Sequence, residues 1–301
     1  MNTAKVYTTP PKAAHCALVT KGFHQNQTSS LNSNRQAFLF STFCNPSANA
    51  VLKIHRNAVK MQAANVNSDL VKREPSPDVL STIRAADAFC FDVDSTFCKD
   101  ESIDEIAAFL GVGDEVAALT ARAMGGTVLF QDALRDRLGV MKPSASDIKK
   151  YLASHPPLIS PGINELLSTL RKQGKDVFLV SGGFRQIIHP LAEGLDIPIA
   201  HVFANTILFN KEDGSYAGFD PAEFTSHSGG KAEAVVHIKK NWGLNKIIMV
   251  GDGATDAEAK QPGGADAFVG YGGTVYRENI AERADWYVMR IEEITNALKF
   301  D

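Results

Sequence analysis

No acidic residue occurs in the first 68 positions of this 301-residue chain. The same stretch holds seven basic side chains (Lys5, Lys12, Lys21, Arg35, Lys53, Arg56 and Lys60) and is rich in Ser, Thr, Asn and Ala. It lacks the compact apolar segment of a secretory signal. Nowhere does an apolar run approach the ~18–20 residues of a membrane span, so no membrane-spanning segment is expected. Cysteine is scarce: Cys16 and Cys44 lie in the acid-free leader, and Cys90 and Cys98 lie beyond it. They form no CxxC or Cys/His spacing, which argues against a disulfide scaffold or a zinc site. The histidines form no HExxH pair. Beyond the leader, 24 basic residues face all 34 acids of the chain. A nucleic-acid partner would need a basic face, and this acidic body has no such patch.

An acid-free, hydroxyl-rich, basic leader has the composition of an organelle transit peptide. A disordered basic arm and a plain tail are the alternatives. The Met-Asn start, in place of an Arg-rich amphipathic helix, favours the chloroplast (plastid stroma) over the mitochondrion. Residues 1–65 are therefore expected to be a disordered transit peptide. Cleavage is expected between Ala50 and Asp69, ahead of Glu74-Pro75-Ser76-Pro77.

What is present after the leader is concentrated at strand ends. Ala88-Phe89-Cys90-Phe91 suits a buried strand and runs straight into Asp92-Val93-Asp94-Ser95-Thr96. Carboxylates at the mouth of an apolar strand are costly to desolvate unless a cation meets them. One reading is a Mg²⁺ and phosphate site at the C-terminal edge of a parallel sheet. The other is a solvated acidic turn, and the pentapeptide alone does not separate the two. Three later segments add to it. Asp176-Val177-Phe178-Leu179-Val180 ends in Ser181-Gly182-Gly183. Ser228-Gly229-Gly230-Lys231 sets a lysine where a helical segment begins. Ile247-Ile248-Met249-Val250 ends in Gly251-Asp252-Gly253-Ala254-Thr255-Asp256. In this order the chain supplies two carboxylate pairs, a hydroxyl with flanking amides, and one fixed cation. That inventory can hold a phosphate monoester against a hard metal ion.

About 85 residues separate the first two strands, more than one crossover helix needs. The intervening stretch reads as four short amphipathic helices: Ile103 to Leu110, Glu115 to Met124, Val128 to Leu138 closed by Gly139, and Ser146 to Tyr151. Ser160-Pro161 is expected to open the next helix, and strand and helix then alternate to Trp286-Tyr287-Val288. Asn205 to Phe219 reads as a β-hairpin on the sheet margin. The fold class is α/β: a three-layer, Rossmann-like parallel sheet with a small helical cap inserted after the first strand. The expected division is a core of residues 66–98 and 160–301, with a cap of residues 99–159.

The four segments together resemble the haloacid dehalogenase superfamily of aspartate-nucleophile phosphatases, from about Val79 to the C-terminus. The resemblance implies Asp92 as nucleophile and Asp94 as general acid and base. It implies Mg²⁺ held by Asp92, the backbone carbonyl of Asp94, and Asp252, with Asp256 orienting a metal-bound water. Ser181, Gly182, Gly183 and Lys231 are implied to hold the phosphoryl group. In the cap, Arg122-Ala123-Met124-Gly125-Gly126 and the stretch from Phe130 through Arg137-Leu138 resemble the branch that hydrolyses L-phosphoserine, the last step of phosphorylated serine biosynthesis. On that likeness Arg137 meets the substrate carboxylate and Glu101 the ammonium, while Met124, Gly125, Phe130 and Thr255 line the pocket. The bland alternatives are a surface ion pair for Arg137 and a cap-core role for Phe130. Phe97 and Cys98 depart from the aliphatic residues usual in the first motif. A phosphatase for another small monoester, such as phosphoglycolate, and a non-catalytic phosphate-binding module stay open as alternatives. The expected partners are phosphoserine and the plastid import machinery, with a homodimer also open.

Overall fold

A computed structural model of the chain describes residues 74–124 and 128–299, apart from the side chain of Met124. The expected transit peptide, the expected cleavage region and Gly125 lie outside the described residues. Helix α1 (Pro77–Arg84) comes first, with Pro77 at its start and the Ser76 hydroxyl accepting from the Val79 amide. Both features suit a helix N-terminus, where the first amides have no partner inside the helix. Strand β1 (Ala88–Phe91) follows, buried throughout. Beyond it the chain leaves the sheet in a tight wound turn over Val93–Phe97, in which Ser95 takes φ 54°.

Four helices then form the cap: α2 (Ser102–Phe109), α3 (Gly113–Met124), α4 (Phe130–Met141) and α5 (Ala145–Ser154). The chain returns through α6 (Ile163–Lys172), β2 (Asp176–Phe184), α7 (Arg185–Gly194) and β3 (Val202–Asn205). A hairpin of β4 (Ile207–Phe209) and β5 (Tyr216–Phe219) precedes α8 (Gly230–Asn241) and β6 (Ile247–Gly251). The remaining elements are α9 (Ala254–Glu258), β7 (Ala267–Tyr271), α10 (Glu278–Arg283), β8 (Trp286–Val288) and α11 (Ile291–Lys299).

Six strands form one parallel sheet in the order β3-β2-β1-β6-β7-β8. A parallel sheet is covered on both faces, so its strands are apolar without alternation. One face carries Phe89 and Phe91 against Leu166 and Leu170 of α6, Ile188 of α7 and Ile294 of α11. The other carries Cys90 and Phe178 against Val235 and Ile238 of α8 and Ile280 of α10. These are the three layers expected. Phe91 lies opposite Leu179 on one side and Val250 on the other. The register therefore brings the ends of β1, β2 and β6 together, as the sequence pattern implied.

The cap has its own apolar cluster, with Ile106, Leu134, Leu138 and Tyr151 at its centre. It joins the core through two antiparallel passages. Lys99 N–H donates to the Leu158 carbonyl at 2.8 Å, and Ser160 N–H donates to the Phe97 carbonyl at 2.9 Å. Among the described residues no helix is long and apolar enough to cross a membrane.

Four local expectations are corrected. Strand β2 does not stop at Val180 but continues through Ser181-Gly182-Gly183 to Phe184 with a register shift. Asn205 of β3 anchors that irregular stretch by donating to the Gly182 carbonyl at 2.8 Å. Gly139 does not close its helix. It lies on the exposed face of α4, and Lys142 supplies the left-handed C-cap instead, with φ 40°. Helix α6 begins only at Ile163, capped by Gly162 in the left-handed region, so Pro161 precedes it. The hairpin forms a separate two-stranded sheet, and its Ile207 belongs to the cap cluster, not to the margin of the main sheet.

Candidate active site

The cleft is built where β1, β2 and β6 end beneath the cap. It is a cavity of ≈ 190 Å³. Asp92, Asp94, Glu101, Phe130, Arg137, Gly182, Gly183, Lys231, Asp252 and Thr255 all line it. The fold thus brings together residues drawn from four separate sequence segments and from the cap.

Lys231 is the electrostatic centre. It enters at the first turn of α8, is only 8 % exposed, and meets Asp92 Oδ2 at 2.7 Å and Asp256 Oδ1 at 2.8 Å. Burial pulls its basicity down, but the two carboxylates outweigh burial and hold the ammonium charged. Asp252, just past β6, meets Arg277 at 3.0 Å and accepts from the Thr96 hydroxyl at 3.2 Å. Burial and the Asp92 charge push its carboxyl up. Asp256 is fully buried below the cavity and also accepts from the Gly253 amide at 2.9 Å. Burial, then Asp92, push it up to about 8 despite the lysine.

Asp92, Asp252 and Asp256 have carboxylate oxygens within 4.8 Å of one another. Three buried acids here face two cations, Lys231 and Arg277, and burial first, then the Asp92 charge, raises the proton affinities of Asp252 and Asp256. An all-oxygen, anionic donor set fits a hard divalent cation such as Mg²⁺. The side chain of Asp94 is not in this cluster. Its two oxygens accept from the Ser102 amide and the Ser102 hydroxyl, both at 3.0 Å.

Asp94 has its proton affinity raised well above the ordinary carboxylate range, by burial first and then by Glu101 and Asp92. Asp92 and Asp94 face one cavity, but not through simple strand alternation. The chain has already turned out of β1 at Val93. Glu101, the residue before α2, accepts from the Ser95 hydroxyl at 2.5 Å, and burial raises it to about 7. Arg137 donates from Nε to the Ala133 carbonyl at 3.0 Å. Burial lowers its pKa, opposed by Asp104, Glu101 and Asp94. The Phe130 ring covers Gly182, 3.2 Å from where a Cβ on that residue would stand.

One expected residue, Ser181, does not line the cavity. Ser181 is fully buried and its hydroxyl accepts from the Gly183 amide at 3.0 Å, so it shapes the irregular end of β2 whose glycines line the cleft. Met124 ends α3, with its side chain outside the described residues. Cys98 is buried at the passage into the cap, and burial pushes its thiol up to about 12, which makes it a poor nucleophile. Sequence reasoning assigns no role to Arg277, Thr96, Ser95 or Ser102. Arg277 lies 25 positions beyond its partner Asp252, in no motif. The three hydroxyls sit inside or near the first motif, but only the turn after β1 assigns each its carboxylate.

Residues 86–264 match the family model of haloacid dehalogenase-like hydrolases. The chain belongs to that family. It is 51 % identical over 224 residues to the chloroplastic phosphoserine phosphatase of Arabidopsis thaliana, covering 74 % of this chain and 76 % of that one. A solved structure of DsGPDH of Dunaliella salina superposes with a TM-score of 0.68 at 39 % identity, over 75 % of this chain but only 38 % of that one. A phospho-aspartyl intermediate analogue of phosphoserine phosphatase superposes with a TM-score of 0.61 at 28 % identity, over 71 % of this chain and 99 % of that one. Family membership and the buried carboxylate cluster make this hydrolase a Mg²⁺-dependent phosphatase that works through an aspartyl-phosphate intermediate. The Arabidopsis relative also supports the chloroplast as its compartment.

Proposed function

We propose that the cleft hydrolyses O-phospho-L-serine to L-serine and inorganic phosphate. The observation that carries this reading is that Glu101 and Arg137 both line the cavity that also holds Asp92 and Lys231. One anion and one cation beside a phosphate-neutralising lysine match an amino acid bearing a phosphate. Glycolate has no ammonium to occupy Glu101.

Asp92 attacks phosphorus. A carboxylate is ionised at neutral pH and needs no base, but the meeting of two anions needs compensating charge. Lys231, at 2.7 Å, supplies part of it. The amides of Gly182 and Gly183 would hold phosphoryl oxygens, the Gly183 N–H turning to the ligand from the Ser181 hydroxyl that it meets here at 3.0 Å. Asp94 gives its proton to the departing serine oxygen and then takes one from the water that opens the acyl phosphate. Its raised proton affinity suits that role, since the proton has to be present near neutral pH. Asp92, Asp252 and the Asp94 carbonyl would hold Mg²⁺, braced by Asp256. When bound, the ion neutralises charge on the phosphoryl oxygens. Arg137 and Glu101 orient the serine head group, while Phe130, Thr255, Met124 and Gly125 shape the pocket. The same reading keeps residues 66–98 and 160–301 as core and 99–159 as cap. It includes import through the plastid machinery, supported by the acid-free leader, and leaves a homodimer open.

Arg137→Ala tests the substrate assignment. Leaving one partner of a desolvated charge pair costs about 2–5 kcal/mol. The variant is therefore expected to lose kcat/KM for phosphoserine by roughly thirtyfold or more, and to lose much less for p-nitrophenyl phosphate. Equal losses on both substrates would mean that Arg137 supports the cap and does not read the serine carboxylate.

A further inference from the structure

Helix α4 has no cap of its own. Leu129 stands at the N-cap position without any side-chain hydrogen bond, and it is 56 % exposed. A helix start leaves its first amides without partners inside the helix. Here the Phe130 amide finds one 98 positions away in sequence, donating to the Ser228 hydroxyl at 3.3 Å. The contact is returned. The Ser228 amide donates to Gln131 Oε1 at 3.3 Å, and the Ser228 hydroxyl lies 3.4 Å from the same oxygen. A serine oxygen taking a first-turn amide, while a first-turn glutamine reaches back to the serine amide, has the reciprocal logic of a capping box. Normally both halves lie in one stretch of chain. In this molecule the helix belongs to the cap and the serine belongs to the core.

Both halves are tied to the cleft. Gln131 follows Phe130, whose ring covers Gly182. Ser228 stands three residues before Lys231, joined by a turn in which Gly229 has φ +80° and Gly230 lies so close to the Phe224 carbonyl that a Cβ would stand 1.7 Å from its oxygen. That crowding fixes Ser228 relative to the lysine. The hydrogen bonds themselves are long and at the surface, where water replaces them at little net cost. Such bonds suit a closure that has to open in every turnover.

We infer that Ser228 and Gln131 form a split capping box that latches the cap over the cleft. They are positioning residues: they set how tightly the closed cleft holds its ligand, not the rate of phosphoryl transfer. The kinetic part of this inference rests on the phosphatase reading above.

The test compares the full chain with Ser228→Ala, Gln131→Ala, the double variant and Ser228→Thr. Hydrogen exchange at residues 130–133 reads the latch directly, and kcat and KM for phosphoserine read its consequence. A lost N-cap shifts an equilibrium by about fivefold. Ser228→Ala is expected to speed exchange in the first turn of α4 and to raise KM, each by about that factor, with kcat unchanged or higher. Ser228→Thr restores both, and the double variant falls short of the product of the singles because the two bonds form one unit. Unchanged exchange in Ser228→Ala overturns the inference. So does a fall in kcat at constant KM, which would place Ser228 in the chemistry of Lys231. If the unaltered protein releases no phosphate from phosphoserine, the functional reading fails while the exchange comparison still decides the latch.

Discussion

Lys231 answers two carboxylates at once, at 2.7 and 2.8 Å, so each substitution around it tests a separate part of the mechanism. Asp92→Asn keeps the shape and removes the nucleophile. It is expected to lower kcat on the order of a thousandfold or more, as nucleophile deletions do, with an unchanged circular dichroism spectrum. A variant keeping a tenth of the activity would remove Asp92 from that role. Glu101 makes a pH prediction. Burial raises it to about 7, so it is mostly ionised above that pH and mostly protonated below it. Only the ionised form attracts an ammonium. KM for phosphoserine is therefore expected to rise, relative to KM for p-nitrophenyl phosphate, as pH falls through about 7. Taking the ratio of the two substrates removes most of the phosphate's own titration near pH ~6. A ratio that stays flat, or rises toward alkaline pH, contradicts an ammonium at Glu101.

At the scale of elements, the strand ends were the legible part. β1, β2 and β6 are buried on both faces, so each reads as an unbroken apolar run, and the charged or glycine-rich residues that follow mark its C-terminal end. Phe91 shows how closely that packing supports the chemistry. It is fully buried one residue before Asp92 and packs edge-on against Phe97, with ring centroids 5.7 Å apart. Phe91→Ala is expected to destabilise the fold by about 3–5 kcal/mol, measured by denaturant unfolding; a loss below about 1 kcal/mol would show that the site stands on other packing. The illegible parts have physical causes. The continuation of β2 through Ser181-Gly182-Gly183 depends on Asn205, a partner on another strand. Gly139 reads as a helix stop, but it occupies a solvent-facing position where a missing side chain is tolerated. The Asp94 carboxylate is turned toward Ser102 by the wound turn after β1, a backbone feature that no residue spacing announces. Arg277 reaches Asp252 from a loop outside every motif.

At the scale of the whole molecule, every described site residue lies between Asp92 and Arg277. Deleting residues 1–60 is expected to leave thermal stability and kcat/KM unchanged in vitro and to abolish plastid import; a truncated protein that aggregates would assign the leader a structural part. The acidic body carries its surplus charge into the cleft, where three carboxylates cluster. Ca²⁺ prefers more ligands than Mg²⁺ and takes carboxylates through both oxygens, which would occupy the attacking oxygen of Asp92, so Ca²⁺ is expected to fail as a replacement. The central claim is that this cleft reads a phosphorylated amino acid and not merely a phosphate. Its most direct test is phosphate release from L-phosphoserine and phosphoglycolate, each with Mg²⁺ and with a chelator. The account predicts release that needs Mg²⁺, with kcat/KM for phosphoserine higher by roughly thirtyfold or more, the equivalent of one unpaired charge. Equal rates on the two substrates, or undiminished release in chelator, would contradict it.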